Sequence, residues 1–167
     1  DANMATTSTP IVITTKTVIS DISAADFGKL LPTDLAKLST SQLKNVSAEQ
    51  IAQVSDKALA GIIKQDILPS DIFHAIAVKS LGGLNLKVVT GDQFNDLSAT
   101  QVAALTSDQI ASITQSTYND VSADALGYLG KNITAVDVKK LATNFTKLPA
   151  AQVSACLLYT SDAADDT

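Results

Sequence analysis

Cysteine, histidine and large aromatic side chains are scarce in this chain. Its 167 residues include one cysteine, one histidine and no tryptophan, and aromatic residues make up 4%. A lone histidine without a set of cysteines gives zinc no plausible group of ligands. The apolar residues are mostly small and aliphatic, which favours close helical packing over an aromatic platform for carbohydrate. We expect no disulfide framework, no metal site and no cofactor.

Positive charge is also in short supply. Lysine and arginine number 12 against 17 acidic residues, for a net charge of -5. This balance disfavours a nucleic-acid partner, which requires neutralisation of phosphates. No apolar run approaches the roughly 20 residues that cross a bilayer, so we predict no transmembrane segment. No signal peptide is visible, although the start at Asp1 is compatible with one that has been removed.

The last twelve residues, CLLYTSDAADDT, differ in character from everything before them. They resemble the translation of a transposon-end adapter used in DNA library preparation. We therefore expect residues 156–167 to be a sequencing artefact, in a sequence from an environmental sample, with the natural chain continuing past Ala155. An ordinary acidic tail is the alternative. Without Cys156 the chain has no cysteine left for thiol chemistry.

An eight-residue repeat, or octad, is the clearest internal pattern. Serine or threonine recurs every eight residues in two blocks, and apolar residues follow each of them four and seven positions later. The repeated positions are Ser39, Ser47 and Ser55, then Thr90, Ser98, Thr106, Thr114 and Ser122. A fixed period of this kind indicates copies of one structural unit that stack on each other.

Each octad has the features of a short helix with its start signal. The serine or threonine hydroxyl can accept a hydrogen bond from a free amide of the first turn. Gln42, Gln50, Gln101 and Gln109 lie three residues after their caps, at the spacing of a capping box. Pro32 fits a first helical position. The two apolar residues of each octad lie on one face of such a helix.

One long helix would not keep these apolar residues together. At about 100° per residue, a shift of eight residues turns each apolar pair by about 80°, and the stripe would spiral around the helix. Short helices of about 5 to 8 residues, broken at each serine or threonine, keep every pair facing one core and must stack to be stable. We therefore predict a mainly α fold, a superhelix or solenoid of short capped helices.

Two segments depart from the octad. The β-branched run at residues 9–19 predicts a strand, and LNLKVV at residues 84–89 is a second short strand candidate. Residues from Ser70 or Asp71 to Gly82-Gly83 predict a longer helix. We expect a flexible leader at residues 1–10 and one repeat domain at residues 11–155. The longer helix would then join two related halves, residues 11–62 and 84–155.

The stretches LSTSQLKNVSAEQIAQVS and LSATQVAALTSDQIASIT resemble the L-[ST]-x-x-Q-[LIV] repeats of bacterial adhesin-like surface proteins. They are also similar to the short-helix repeats of the mesothelin and stereocilin family. The resemblance covers the octads and not the two strand-like runs. It implies a superhelix of short helices in an extracellular protein, with a structural or adhesive role and no catalytic residue.

Residues that could perform chemistry are few. His74 lies in an apolar stretch beside Phe73, and we predict a structural role for it. No nucleophile elbow or calcium-binding loop is present, so we predict no enzyme. Three asparagines, Asn45, Asn132 and Asn144, precede x-Ser or x-Thr and are predicted N-glycosylation sites.

The absence of a site together with the repetition favours a structural subunit of an extracellular filament, sheath or adhesive surface layer. The alternative is a secreted recognition module that binds protein or glycan on a superhelical surface. We expect the chain to bind copies of itself through an N-terminal strand that adds to a neighbour. The residues of this assembly arm are Ile11, Val12, Ile13, Val18 and Ile19.

Overall fold

The computed structural model describes residues 10–136, and these residues are mainly helical. Ten α-helices alternate with connecting turns: α1 (Ala24–Phe27), α2 (Pro32–Leu35), α3 (Thr40–Leu43), α4 (Ala48–Ile51), α5 (Asp56–Gly61), α6 (Gly91–Asn95), α7 (Ala99–Ala103), α8 (Ser107–Ser112), α9 (Gln115–Asp120) and α10 (Ala123–Tyr128). The described part also holds five 3₁₀-helices: η1 (Ile19–Asp21), η2 (Gln65–Ile67), η3 (Ser70–Ala75), η4 (Val78–Gly83) and η5 (Gly130–Ala135).

Each α-helix of the octads begins where the serine and threonine pattern predicts. All eight repeated hydroxyl residues are N-caps whose side chain accepts from the amide three residues later. In α3, Ser39 Oγ accepts from the Gln42 amide at 3.1 Å, and Gln42 Oε1 accepts from the Ser39 amide at 2.9 Å. Pro32 is the first residue of α2, as predicted.

The octad helices are short because the main-chain amide of the second apolar residue forms a hydrogen bond that ends the helix. In the α3 octad the Val46 amide donates to the carbonyl of Leu43, and both side chains are buried. This bond spans three residues rather than four, so it tightens the last turn and ends the helix. The α-helices are 4 to 6 residues long: the first four have 4 residues, just below the predicted range, and the others have 5 or 6, within it.

Most helices belong to one of two series, and within each series every helix contacts the next. The first series is α1, α4, η3, α6 and α9, and the second is α2, α5, η4, α7 and α10, each helix contacting the next. Neighbours in a series lie about three octads apart: α1 begins at residue 24 and α4 at residue 48. A further pair, α8 and η5, is separated in the same way. Helices that follow directly in sequence therefore belong to different series.

The predicted apolar positions form a single core cluster through the described residues. Its largest fully buried side chains include Phe27, Phe73, Phe94 and Tyr118, which come from both octad blocks and from the region between them. Gln65 links the first octad block to the region between the blocks, because its Nε2 donates to the carbonyls of Leu59 and Gly83 at 3.0 and 2.9 Å.

The two predicted strands are wrong: residues 10–136 contain no strand. Residues 11–18 contain a turn in which the Thr17 amide donates to the Thr14 carbonyl. Val18 has extended backbone, and Ile19 opens η1. Residues 84–89 make a turn on the Asn85 carbonyl, which accepts from the amides of both Val88 and Val89. A β-branched run favours extended backbone, but a strand also needs hydrogen bonds to a neighbouring strand. Several main-chain carbonyls of these two segments accept from glutamine side chains instead.

The predicted longer helix is also wrong, because it is divided into the 3₁₀-helices η3 and η4. Ile76 and Ala77 between them have extended backbone, with ψ of 125° and 139°. In a continuous helix the Ile76 carbonyl would accept from the amide of Ser80. It accepts instead from the side chain of Gln101 at 2.8 Å, and the helix is interrupted there.

We expect loss of one N-cap to weaken the fold measurably. Ser39→Ala removes the acceptor for the Gln42 amide and should lower the free energy of unfolding by about 1 kcal/mol. Ser41→Ala is the matched control, because Ser41 lies inside α3 and alanine is a better helix former. Urea denaturation of both variants checks this; equal loss in the two would contradict the capping role.

Candidate functional site

Five glutamines make the most regular polar arrangement in the described residues. Each is the third residue of its helix, where its Oε1 accepts from the N-cap amide, and its Nε2 donates to two main-chain carbonyls far back in the sequence. For Gln42, Gln93, Gln101 and Gln109 these carbonyls lie 28 and 25 residues earlier; for Gln50 they lie 31 and 28 residues earlier.

A primary amide suits this position because it carries one acceptor oxygen and two donor hydrogens. In Gln101 all three are used: the Ser98 amide donates to Oε1 at 2.8 Å, and Nε2 donates to the carbonyls of Phe73 and Ile76 at 2.9 and 2.8 Å. Gln101 is only 2% exposed, and its hydrogen bonds offset the cost of burying the amide. Each such glutamine caps its own helix and joins it to an earlier segment.

Half of this arrangement is predicted by the sequence. The spacing from the N-cap predicts the capping bond of four glutamines, and the structure confirms all four. The prediction missed Gln93, although it stands three residues after Thr90 and forms the same capping box. The long-range bonds were not predicted. At the equivalent place in α9, Thr117 Oγ1 makes one such bond, to the Val89 carbonyl 28 residues earlier at 2.6 Å.

His74 lies at the surface and joins two helices. Its main-chain amide and its Nδ1 both contact Asp96 Oδ2, at 2.9 and 2.8 Å, so one carboxylate oxygen links η3 to the end of α6. This contact fits the structural role predicted for His74. Among residues 10–136, no group of three or more His, Cys, Asp or Glu side chains is placed to hold a metal ion.

Tyr118 is the one described residue whose buried polar side-chain atom has no hydrogen-bond partner. Its ring is fully buried in the core, and its hydroxyl lies unpaired there. Burial raises the pKa of this hydroxyl above its usual range, because the phenolate would lose its hydration. Tyr118 stands four residues after the N-cap Thr114, at the first apolar position of its octad, and its ring packs in the core.

We expect Tyr118→Phe to stabilise the protein. The ring packing is retained, and the cost of burying an unpaired hydroxyl, about 1 kcal/mol, is removed. The thermal midpoint should rise by about 3 °C for a chain of this size. Tyr128→Phe is the control, because Tyr128 is partly exposed and its hydroxyl can reach water. A lower midpoint for Tyr118→Phe in calorimetry would show that this hydroxyl has a partner in solution.

Two shallow depressions lie beside the long-range side-chain bonds. One, of about 360 Å³, is lined by residues that include Thr15, Lys16, Gln42 and Asn45. The other, of about 300 Å³, lies beside Thr117. The first includes the N-cap Ser39, and the second includes the N-caps Thr90 and Thr114.

The predicted glycosylation sites differ in exposure. Asn45 is exposed at the end of α3, where its Nδ2 donates to the Ser41 carbonyl at 3.0 Å. Asn132 is half-buried within η5. Asn144 lies outside the described residues.

The residues of the predicted assembly arm divide into two groups. Ile13 and Ile19 are buried in the core, at 4% and 2% exposure, and Ile11 packs partly against it. Val12 and Val18 are exposed, at 71% and 56%. The arm is therefore docked on its own chain through alternate apolar residues, without a strand.

Comparison with protein-family models, curated proteins and solved structures finds no match to this chain. Within residues 10–136, none of the helices combines the length and apolar character needed to span a bilayer.

Proposed function

We propose that the chain is a structural protein whose body is a superhelix with about three octads per turn. The observation that carries this proposal is the regular sequence separation of its contacts. Helices pack on helices about three octads away in both series, and four glutamines reach back by the same 28 and 25 residues. Constant separations of this kind are typical of a solenoid, in which each turn contacts only its neighbours.

The use of the polar side chains supports a structural rather than a catalytic role. The hydroxyl groups of the octads accept hydrogen bonds from helix amides, and the glutamine amides join successive turns. These groups stabilise the body and are already occupied. Within the proposal, the chain is a subunit of an extracellular filament, sheath or adhesive surface layer.

Electron microscopy of the purified protein tests this role. We expect filaments or sheets in negative stain, and sedimentation of most of the protein in an ultracentrifuge at high concentration. A particle with the mass of one chain at every concentration would contradict the proposal. If such a particle is retained by a protein or glycan array, the chain is a recognition module instead.

The extracellular location is proposed from the sequons and from the resemblance of the octads. Of the two sequons in residues 10–136, Asn45 is the one whose side chain is exposed, so we expect it to carry glycan in native material. Intact-mass measurement before and after glycosidase treatment should show a mass loss, and peptide mapping should place it at Asn45. An unmodified Asn45 in native material would contradict this assignment.

A further inference from the structure

The N-terminal segment, defined as residues 10–22, contains two turns closed by its own hydrogen bonds. The Thr14 amide donates to Thr17 Oγ1 at 2.9 Å, and the Thr17 amide donates to the Thr14 carbonyl at 3.1 Å. The Ile22 amide donates to the Ile19 carbonyl in the same way, at 3.0 Å. These bonds lie within the segment and involve none of the residues on which it docks.

The segment docks on its own chain through a socket formed by two glutamines. Gln42 Nε2 donates to the carbonyls of Thr14 and Thr17 at 2.8 and 2.9 Å. Gln50 Nε2 donates to those of Ile19 and Ile22 at 2.8 and 2.9 Å. No strand ladder joins the segment to the other described residues.

Apolar side chains give the socket its selectivity. Ile13 and Ile19 of the segment enter the core, whereas Val12 and Val18 remain exposed. The glutamine amides recognise main-chain carbonyls of any sequence, so the two isoleucines determine which segment fits. A ligand for this socket needs paired carbonyls with these isoleucines, which is the pattern of the segment itself.

Ser23 connects the segment to the helical body. It is exposed and serves as the N-cap of α1, so a change of backbone angles at this residue would move the segment and leave the helix in place. In an exchange between copies, the segment makes the same hydrogen bonds and the same apolar packing on a neighbour that it makes on its own chain. The balance between the two arrangements is then set by protein concentration.

We propose that the N-terminal segment of one copy occupies the Gln42 and Gln50 socket of the next, linking copies head to tail. This inference rests on the proposed structural function and names the contact that builds the polymer. Each copy gives its segment to one neighbour and receives a segment from another, so the contact does not close and the chain of subunits can grow.

A pair of complementary variants tests the exchange. Ile13→Asp damages the segment and leaves the socket intact, whereas Gln42→Glu removes two of the four donor hydrogens of the socket and leaves the segment intact. Each variant alone should require at least ~10-fold more protein to assemble than the natural sequence. Mixed one to one, the two should form a dimer and stop, because the dimer keeps one damaged segment and one damaged socket.

The controls are variants with the same chemistry at other places. Val12→Asp adds the same charge to an exposed position of the segment, and Gln109→Glu damages an equivalent joint away from the socket. Both should assemble at the same protein concentration as the natural sequence. Far-ultraviolet circular dichroism checks that every variant is folded.

If either damaging variant folds poorly, a synthetic peptide of residues 10–22 replaces it. Added in excess to the natural protein, the peptide should occupy sockets and shorten the polymers, and a peptide with both isoleucines changed to aspartate should not. Polymers unaffected by the variants and the peptide, or a mixture that yields no dimer, would overturn the exchange while leaving the structural function in place. A chain that never assembles would refute both.

Discussion

Gly83→Ala is expected to destabilise the protein by about 3 kcal/mol or more, a large part of the stability of an ordinary domain. A Cβ at Gly83 would clash with the carbonyl oxygen of Asp56 and lie 3.0 Å from the amide nitrogen of Ala60. Both atoms belong to the backbone of α5, which packs against η4. Since backbone cannot rotate away as a side chain can, the two helices would have to separate.

The neighbouring glycine provides a matched control for this prediction. A Cβ at Gly82 would meet nothing within 4 Å, so Gly82→Ala adds the same methyl group to open space. We expect it to leave the denaturation midpoint close to that of the natural sequence. Chemical denaturation of both variants, followed by circular dichroism, measures the difference. Equal midpoints would show that η4 does not lie this close to α5.

Gln101→Glu should be the second most damaging change, at about 3 kcal/mol near neutral pH. The carboxylate would keep the capping bond to Ser98 but would face the carbonyl oxygens of Phe73 and Ile76, where the amide now donates. A buried charge without donors is costly, and repulsion by two carbonyls adds to that cost. Gln53→Glu is the control, because Gln53 is exposed.

The loss caused by Gln101→Glu should depend on pH. Burial and the two carbonyls disfavour the carboxylate, so they raise the pKa of the introduced carboxyl above its unfolded value of about 4.3. Between these two pKa values the folded state binds more protons than the unfolded state, and its stability therefore falls as pH rises. The difference from the natural protein should be smaller at pH 4 than at pH 8. A difference that does not change with pH would show that the Gln101 side chain is not buried against these carbonyls.

Local signals were sufficient to predict the helix starts. Ser47 Oγ caps α4 by accepting a hydrogen bond from the Gln50 amide three residues later, so both partners lie within one octad. The same holds for the apolar pair Ile51 and Val54, which are buried together. Interactions that span only a few residues can be inferred from spacing alone.

The partners of the long-range hydrogen bonds could not be inferred from spacing. Nothing near Gln93 indicates that its Nε2 donates to the carbonyls of Gln65 and Leu68, because those residues lie 28 and 25 positions away. The strand prediction at residues 84–89 was wrong for the same reason, because the partner of this segment is distant in sequence. The amide of Asn85 donates to Gln65 Oε1 at 2.7 Å, and this contact belongs to the region between the octad blocks.

The sequence by itself determined that this protein is built from short helices, where most of them begin, and which apolar residues face the core. These properties depend on hydrogen bonds and periodicities within a few residues. Only the tertiary structure decided that the helices pack in series about three octads apart, that glutamines join distant segments, and that residues 11–19 and 84–89 form turns rather than strands. A main-chain carbonyl accepts from whichever donor the packing brings to it, and that donor cannot be identified from the residues beside it.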